Sequence, residues 1–122
     1  RHSFPTRRSS DLGDAANGAI VGTPWFPNKD DQKVRDFKAA YKAKYGKDPD
    51  QFAAQAYDGV YIMEDALKKA GSTTDRAKFK DAMASLKDFV GVTGKFAFDK
   101  NRNPDMEVQV LEVNNGQYGE MK

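Results

Sequence analysis

The sequence contains no cysteine and a single histidine, His2. The lack of cysteine excludes disulfides and thiolate chemistry, but it does not fix the compartment, since larger periplasmic proteins often do without disulfides. His2 belongs to a segment that we treat as foreign to the protein, for reasons given below. The remainder of the chain therefore has no residue for a histidine metal site or for a Ser-His or Cys-His catalytic pair, and we expect no metal and no other cofactor.

Long apolar segments are also missing. No apolar run approaches the roughly 20 residues that a helix needs to span a bilayer, so we expect no membrane insertion. The mean hydropathy of −0.81 is low and the helical signals are short, which is typical of a piece of a larger core rather than of a complete one.

Carboxylates are plentiful, but their surroundings do not predict catalysis. They lie among lysines on predicted helix surfaces, as solvated faces do. An enzyme needs an acid, a base or a nucleophile in a concave site, and no such group stands out here, so we expect no enzymatic activity. The carboxylates concerned are Asp30, Asp31, Glu64, Asp65 and Asp81.

Residues 1–12 read RHSFPTRRSSDL and lack the apolar core and the cleavage site of a signal peptide. From His2 to Leu12 they match, without a mismatch, the translation of a widely used short-read sequencing adapter. We therefore interpret residues 1–12 as a non-native, adapter-derived tag and exclude them from fold reasoning. The alternative is a basic, disordered arm that binds nucleic acid.

The excess of positive charge lies in this tag. Arg1, Arg7 and Arg8 against Asp11 account for the formal net charge of +2, and the residues from Gly13 onward contain equal numbers of basic and acidic side chains. A net charge of zero removes the compositional argument for a polyanion, so we expect no nucleic acid among the partners.

A strand and a connector are predicted at the start of the native sequence. The apolar run Gly18–Gly22 is bounded by glycines and fits a buried strand of a parallel sheet. Two prolines in Thr23–Asn28 bar a helix and disfavour strand pairing, so we predict an extended connector that carries two exposed aromatics, Trp25 and Phe26.

Three amphipathic helices follow. The first runs from about Asp30 to Gly46, the second from about Gln51 to Ala70, and the third comes after capping residues at 72–75. The second is apolar around most of its circumference, which predicts a mostly buried helix, and Gly59 within it predicts close packing against a neighbour. The predicted apolar faces consist of Val34, Phe37, Tyr41 and Tyr45; Phe52, Ala53, Ala54, Ala56, Tyr57, Val60, Ile62, Met63, Leu67 and Ala70; and Phe79, Ala82, Met83 and Leu86.

Strand signals dominate the last part of the chain. Gly91–Phe98 is predicted as one glycine-bounded strand, and residues 99–104 as a turn. Met106–Asn114 alternates in polarity and predicts a strand with at least one buried face. The run Asn114-Asn115-Gly116 predicts a hairpin turn.

Several of these segments carry a family resemblance through their order and spacing. They are FKAAYKAKYGKDP at 37–49, AYDGVY at 56–61, AGS at 70–72, GVTGKFAFD at 91–99 and the closing strand and turn at 108–118. From Gly13 to Lys122 the chain resembles the C-terminal third of leucine/isoleucine/valine-binding proteins. The resemblance implies an α/β protein with a partial type I periplasmic-binding fold, that is, parts of Rossmann-like lobes with three helices flanked by short strands.

The resemblance also implies two lobes that close on a ligand in the cleft between them. It assigns residues 28–95 to the helices of the N-terminal lobe, and residues 13–27 and 96–122 to strands of the C-terminal lobe and to hinge crossings. Most of both sheets would then be missing from the chain. The groups that hold the ammonium and carboxylate of an amino acid in the family would lie upstream of this sequence.

Four candidate ligand-binding residues follow from the resemblance. Phe52 matches an aromatic position that lines the pocket for the ligand side chain; its alternative is ordinary core packing. Trp25 and Phe26 lie on the hinge crossing that the resemblance implies, where they either line the edge of the cleft or cover it. Tyr57 and its neighbour Asp58 fit the family motif and are expected to serve packing and helix-surface hydrogen bonding, with a direct ligand role as the alternative.

The function implied by the resemblance is that of the extracytoplasmic or periplasmic solute-binding component of an ABC transporter. Its ligand would be a small amino acid of branched-chain type or a related amide or organic acid, and its protein partners would be the permease subunits. The alternative is a ligand-sensing domain of a receptor or regulator with the same fold. A complete gene separates the two, because a signal peptide or lipoprotein cysteine and neighbouring permease genes indicate transport.

Overall fold

The computed structural model describes residues 13–121. The predicted tag at residues 1–12 lies outside these described residues. Among the residues that are described, no helix combines the length and the apolar character needed to cross a membrane.

The described chain divides into two compact units. One unit is the continuous segment Pro24–Glu107, and the other combines residues 13–23 with residues 108–121. The polypeptide therefore passes between the units twice, after Thr23 and after Glu107.

Three helices form most of the larger unit, and their limits follow from local capping. Helix α1 is Gln32–Tyr45, α2 is Gln51–Ala70 and α3 is Arg76–Ala84. An aspartate precedes each helix, and its carboxylate accepts a hydrogen bond from a backbone N–H of the first turn that has no partner within the helix. Glycines with positive φ, Gly46 and Gly71, end α1 and α2. The predicted limits of α1 and α2 are confirmed.

A small antiparallel sheet completes this unit. Strands β2 (Phe89–Gly91), β3 (Gly94–Phe98) and β4 (Pro104–Met106) pair in that order. The single strand predicted over Gly91–Phe98 is wrong, because the chain reverses at Val92 and Thr93 and pairs Gly91 with Gly94. The reversal uses a φ of 101° at Gly94, a conformation that favours glycine.

The core of the larger unit is built around two aromatic rings. Trp25 meets the ring of Phe37 edge-on, with 5.7 Å between ring centroids, and both pack with Val34, Ala54 and Val92. Trp25 is only 4 % exposed and Phe26 only 5 %, so the prediction that these aromatics are exposed is wrong. The connector has no strand partner, but both aromatic side chains are nevertheless buried, because burial removes their apolar surface from water.

Helix α2 buries only part of the predicted apolar face, namely Ala54 and Ile62. Its buried residues recur every fourth position, and it packs against α3 and β2. Phe52, Val60 and Met63, which belong to the predicted apolar face, remain exposed. A Cβ atom at Gly59 would meet no other heavy atom within 4 Å, so the close packing predicted there is absent among the described residues. The buried residues of α2 are Ala54, Asp58, Ile62 and Ala66.

The smaller unit is a three-stranded antiparallel sheet. Strand β5 (Gln109–Asn114) lies between β1 (Ile20–Thr23) and β6 (Gln117–Glu120). The prediction of a buried parallel strand at the start of the chain is wrong on both counts, because β1 pairs antiparallel with β5 and Ile20 is exposed. The predicted hairpin turn is confirmed, with positive φ at Asn115 and Gly116.

The strand predicted over Met106–Asn114 is divided between the two units. Met106 ends β4, and β5 begins only at Gln109. In β5 one face is buried, as predicted, and that face carries Leu111 and Val113.

Candidate functional site

Phe52 stands in the first turn of α2, where the capping carboxylate of Asp50 accepts a hydrogen bond from the backbone N–H of Ala53 at 2.9 Å. The side chain of Phe52 is 67 % exposed, so it is not part of the core of the described residues. A large apolar ring held at the start of a rigid helix offers contact area to a ligand or to another part of the protein.

Tyr57 lies one turn further along α2 and belongs to a chain of aromatic rings. Its ring centroid is 4.7 Å from that of Phe37 and 4.9 Å from that of Tyr61, and Phe37 in turn contacts Trp25. The structure thus connects two of the predicted site residues, Trp25 and Tyr57, through Phe37. Tyr57 contacts the rings of Phe37 and Tyr61 while it remains 40 % exposed.

The hydroxyl of Tyr57 donates a hydrogen bond of 3.3 Å to the hydroxyl of Tyr61. This hydrogen bond, with a smaller contribution from burial, raises the pKa of Tyr57 above its ordinary value of 10.0. Tyr57 therefore remains a neutral hydrogen-bonding group throughout the physiological range.

A groove of about 490 Å³ opens beside these tyrosines, between α1, α2 and β2. Aromatic side chains line it, together with Lys33 and Asp36 of α1. The Lys33 ammonium donates to the Val90 carbonyl at 2.7 Å and so connects α1 with β2 beside the groove. The volume lies within the usual range for small-molecule sites, and the aromatic lining residues are Phe37, Tyr57, Tyr61 and Phe89.

Asp58 occupies a position that differs from the predicted one. We expected it on the helix surface, but it is 3 % exposed, and its carboxylate accepts three hydrogen bonds from the turn between β2 and β3. The donors are the Val92 backbone N–H at 2.8 Å, the Thr93 backbone N–H at 2.8 Å and the Thr93 hydroxyl at 2.6 Å. Asp58 therefore attaches the β2–β3 hairpin to α2.

Gly91 makes this attachment possible. A Cβ atom at position 91 would overlap the carboxyl group of Asp58, so only glycine admits the carboxylate at this distance from β2. The role of Asp58 is structural, because its buried carboxylate accepts three hydrogen bonds from donors of its own chain.

Sequence reasoning missed both the attachment and the groove. The signal for Asp58 was present, because Ala54, Asp58, Ile62 and Ala66 recur at intervals of four and so share one side of a helix. An aspartate among small and apolar residues on such a stripe predicts a buried carboxylate with donors. For the groove no local signal existed, because Lys33, Tyr61 and Phe89 come from three separate elements.

Within residues 13–121, no three His, Cys, Asp or Glu side chains are grouped closely enough to hold a metal ion. The described ion pairs, such as Lys68 with Glu64 at 2.7 Å and Lys42 with Asp48 at 3.5 Å, lie on exposed surfaces. Exposed pairs of this kind contribute little to stability. What the described residues do offer is apolar and aromatic contact area at Phe52 and in the groove.

Comparison with known protein families gives a match over most of the chain. Residues 7–117 match a family model described as periplasmic binding protein. The match begins at residue 7 and so includes the end of the segment that we interpret as a tag.

Solved structures of transporter-associated binding proteins are similar to this chain. The leucine-binding protein LivK of Thermotoga maritima shares 30% identity with a TM-score of 0.77, over 91% of this chain and 33% of that one. LivJ of Streptococcus pneumoniae, a branched-chain amino acid transporter substrate-binding protein in complex with isoleucine, shares 34% identity with a TM-score of 0.71, over 81% of this chain and 28% of that one.

A third similar structure carries a different ligand. A solute-binding protein of an ABC transporter from Rhodopseudomonas palustris BisB5, in complex with 3,4-dihydroxybenzoic acid, shares 28% identity with a TM-score of 0.72. The match covers 89% of this chain and 32% of that one. The present chain thus spans about a third of the length of the proteins to which it is similar, and it has the corresponding part of a type I periplasmic-binding fold.

Proposed function

Because the chain belongs to the periplasmic binding protein family, we propose that it forms part of the extracytoplasmic solute-binding component of an ABC transporter. The observation that carries the proposal is the similarity, over 91% of this chain, to a leucine-binding protein. In the proposed function the complete protein captures a small ligand between two lobes and delivers it to permease subunits. No catalytic step is involved.

The division of the chain into two units supports a two-lobed architecture. We assign Pro24–Glu107 to one lobe, since it contains the residues 28–95 that the resemblance gives to the N-terminal lobe, and residues 13–23 and 108–121 to the other. The two passages of the chain, after Thr23 and after Glu107, are then hinge crossings. Few residues need to change conformation when such lobes close on a ligand.

Phe52 is the residue to which we assign direct ligand contact. Its exposure, and its fixed place in the first turn of a capped helix, support a role as an apolar wall of the ligand pocket. The burial of Trp25 and Phe26 supports a packing role for both, and Trp25 packs against Phe37 of α1. Tyr57 contacts Phe37 and Tyr61, which also supports packing rather than ligand contact.

The ligand class that fits best is an amino acid with an aliphatic side chain. Two similar proteins are associated with leucine and isoleucine, and Phe52 offers the apolar contact that such side chains need. A related organic acid is the competing class, since a third similar protein binds a dihydroxybenzoate. Both classes carry a carboxylate, and its anchors belong to the part of the protein that this chain lacks.

The deciding experiment is calorimetric titration of the complete protein with leucine, isoleucine, valine and 3,4-dihydroxybenzoate. We expect micromolar or tighter binding of an aliphatic amino acid by the complete protein, and weak or no binding by the 122-residue chain, which supplies one wall of the cleft. Binding of the aromatic acid alone would reassign the ligand class. Failure to bind any small ligand would contradict the proposed function.

A further inference from the structure

Three places in the chain have an asparagine or aspartate directly followed by glycine. In such a pair the backbone nitrogen of the glycine can attack the side-chain carbonyl carbon of the residue before it, because glycine has no Cβ atom to obstruct the approach. Asparagine is accordingly one of the residues that heat-stable proteins contain in reduced number. All three pairs carry the atoms for this reaction, so their surroundings decide which of them reacts. The pairs are Asn17-Gly18, Asp58-Gly59 and Asn115-Gly116.

The pair Asp58-Gly59 lies inside helix α2, where the reaction is blocked. The Gly59 backbone nitrogen belongs to the hydrogen-bonded interior of the helix. The Asp58 carboxylate is 3 % exposed and accepts three hydrogen bonds from Val92 and Thr93. An attack by Gly59 would have to break the helix and this buried attachment together.

The pair Asn17-Gly18 precedes β1, and two hydrogen bonds hold it in place. The Gly18 backbone N–H donates to the Val113 carbonyl of β5 at 2.9 Å. The side-chain oxygen of Asn17 accepts from the Asn115 backbone N–H at 2.7 Å. The attacking nitrogen and the carboxamide under attack are therefore both engaged by other groups, and both bonds must break before the two atoms can meet.

The pair Asn115-Gly116 forms the two-residue turn between β5 and β6. Asn115 is exposed, and its backbone N–H is the group that binds Asn17. Within residues 13–121, neither the Asn115 carboxamide nor the Gly116 N–H takes part in a hydrogen bond. A short turn at the end of a hairpin opens locally at little cost in free energy. This pair therefore has its reacting groups available and its backbone free to bring them together.

We propose that Asn115 is a site of spontaneous deamidation, which the fold selects over Asn17 and Asp58. The Gly116 nitrogen gives up its proton and attacks Cγ of Asn115. A bond forms between that nitrogen and Cγ, the bond from Cγ to Nδ2 breaks, and ammonia leaves, so that a five-membered succinimide ring remains. Water then opens the ring at one of its two carbonyl carbons and yields aspartate or isoaspartate. Either product carries a negative charge that asparagine lacks, and neither depends on a ligand or a transporter.

The isoaspartate product changes the length of the turn. Its backbone runs through the former side chain and so contains one additional carbon atom. The pairing of β6 with β5 starts directly at this turn, with Asn114 opposite Gln117. A lengthened two-residue turn no longer has the geometry that joins these strands, so β6 separates from β5. Strand β1 pairs with the other edge of β5 and keeps its register.

Incubation at mildly alkaline pH, followed by peptide mass spectrometry, tests the selection. In the folded 122-residue chain we expect deamidation at Asn115 to be about tenfold faster than at Asn17, which corresponds to about 1.4 kcal/mol of local protection. In urea the two rates should become similar, because the protection of Asn17 comes from the fold. Circular dichroism verifies that the chain is folded; if it is unfolded, the complete protein decides. Equal rates in the folded protein, or faster reaction at Asn17, would overturn the proposal.

A substitution at the turn checks the reacting residue. Asn115→Gln lengthens the side chain by one carbon, so the five-membered ring cannot form, and the peptide that contains the turn should keep its mass. Deamidation of this peptide at the original rate would place the reaction at Asn114 and would also overturn the proposal.

Amide hydrogen exchange measures the consequence for β6. The isoaspartate form, separated by ion exchange, should exchange the amides of residues 117–120 about tenfold faster than the unmodified chain. Asn115→Asp is the matched control, because it carries the same charge without the additional backbone atom, and it should exchange like the unmodified chain. Equal exchange in the isoaspartate form and the control would refute the separation of β6.

Discussion

The carboxyl group of Asp58 occupies the space that a Cβ atom on Gly91 would need. The two residues lie on different elements, α2 and β2, and three hydrogen bonds from Val92 and Thr93 hold the carboxylate in that space. The position of the β2–β3 hairpin on the helical unit therefore depends on an aspartate and a glycine together.

Asp58→Asn is expected to lower the free energy of unfolding by about 3 kcal/mol. The amide keeps one acceptor oxygen but directs an NH₂ group toward backbone donors, so at least one buried N–H loses its partner. Urea unfolding measures the change. Asp65→Asn is the matched control, because Asp65 is exposed on the same helix and its substitution should change the free energy by less than about 0.5 kcal/mol. Equal effects at the two positions would refute the buried attachment.

Gly91→Ala is expected to destabilise the protein by about 2 kcal/mol, because the new methyl group displaces the carboxylate of Asp58. In an Asp58→Ala background the same substitution should cost much less, and a double-mutant cycle measures this coupling. The control is Gly59→Ala in the 122-residue chain. A Cβ there meets nothing within 4 Å, so higher helix propensity should stabilise α2 by up to about 1 kcal/mol. Additive effects of the substitutions at 58 and 91 would argue against direct contact.

Phe52→Ala is expected to weaken an aliphatic ligand of the complete protein by about 1 to 3 kcal/mol. In the 122-residue chain it should change the free energy of unfolding by less than about 0.5 kcal/mol, because the ring is exposed there. Calorimetry and urea unfolding, carried out on the same preparations, measure the two quantities. Phe52→Tyr should do less harm but leaves a hydroxyl that needs a partner. Large destabilisation of the complete protein with unchanged affinity of its folded fraction would assign Phe52 to the core.

Asp99, in the turn after β3, is expected to make the stability of the protein depend on pH. The Asn103 backbone N–H, with further bonds from the Asn103 side chain and the Asn101 backbone N–H, lowers the pKa of Asp99 below its ordinary value of 3.8. Because the folded-state pKa is depressed, the stabilising effect of Asp99 is fully present above about pH 4 and is lost as the pH falls through the folded-state value. A carboxyl-carbon NMR titration measures this pKa directly.

Substitutions at the two asparagines check the origin of that shift. Asn103→Ala removes the side-chain hydrogen bond at 3.2 Å and should move the pKa of Asp99 part of the way back toward its ordinary value. Asn101→Ala keeps the backbone donor at 2.7 Å and should leave the pKa of Asp99 lowered. The reverse order of effects would show that the hydrogen bonds are wrongly assigned.

Removal of residues 1–12 tests their interpretation as a tag. An adapter-derived segment was never selected to fit the fold, so its deletion should change the free energy of unfolding by less than about 0.5 kcal/mol. The family match begins at residue 7, which makes residues 7–12 the informative part. A loss of several kcal/mol on deletion of 1–12, but not of 1–6, would assign residues 7–12 to the native protein.

Local chemistry determined the helices and the hairpin turn. Asp50 and Gly71 delimit α2 because a carboxylate satisfies the free N–H groups at one end and a glycine adopts positive φ at the other, and both effects act within a few residues. The turn at Asn115 and Gly116 follows from the same preference for positive φ. Such features depend on neighbours in the sequence, so the sequence alone predicts them.

Tertiary contacts decided which apolar groups are buried and which strands pair. Periodicity could not choose between two sides of α2 that are both apolar, and packing against α3 and β2 selected the side that includes Asp58. Likewise an apolar run bounded by glycines does not encode the direction of its partner, and β1 became antiparallel because β5 lies beside it. These outcomes depend on residues that are distant in the sequence, such as Asp58 and Thr93, which form a hydrogen bond only after the chain has folded and brought them together.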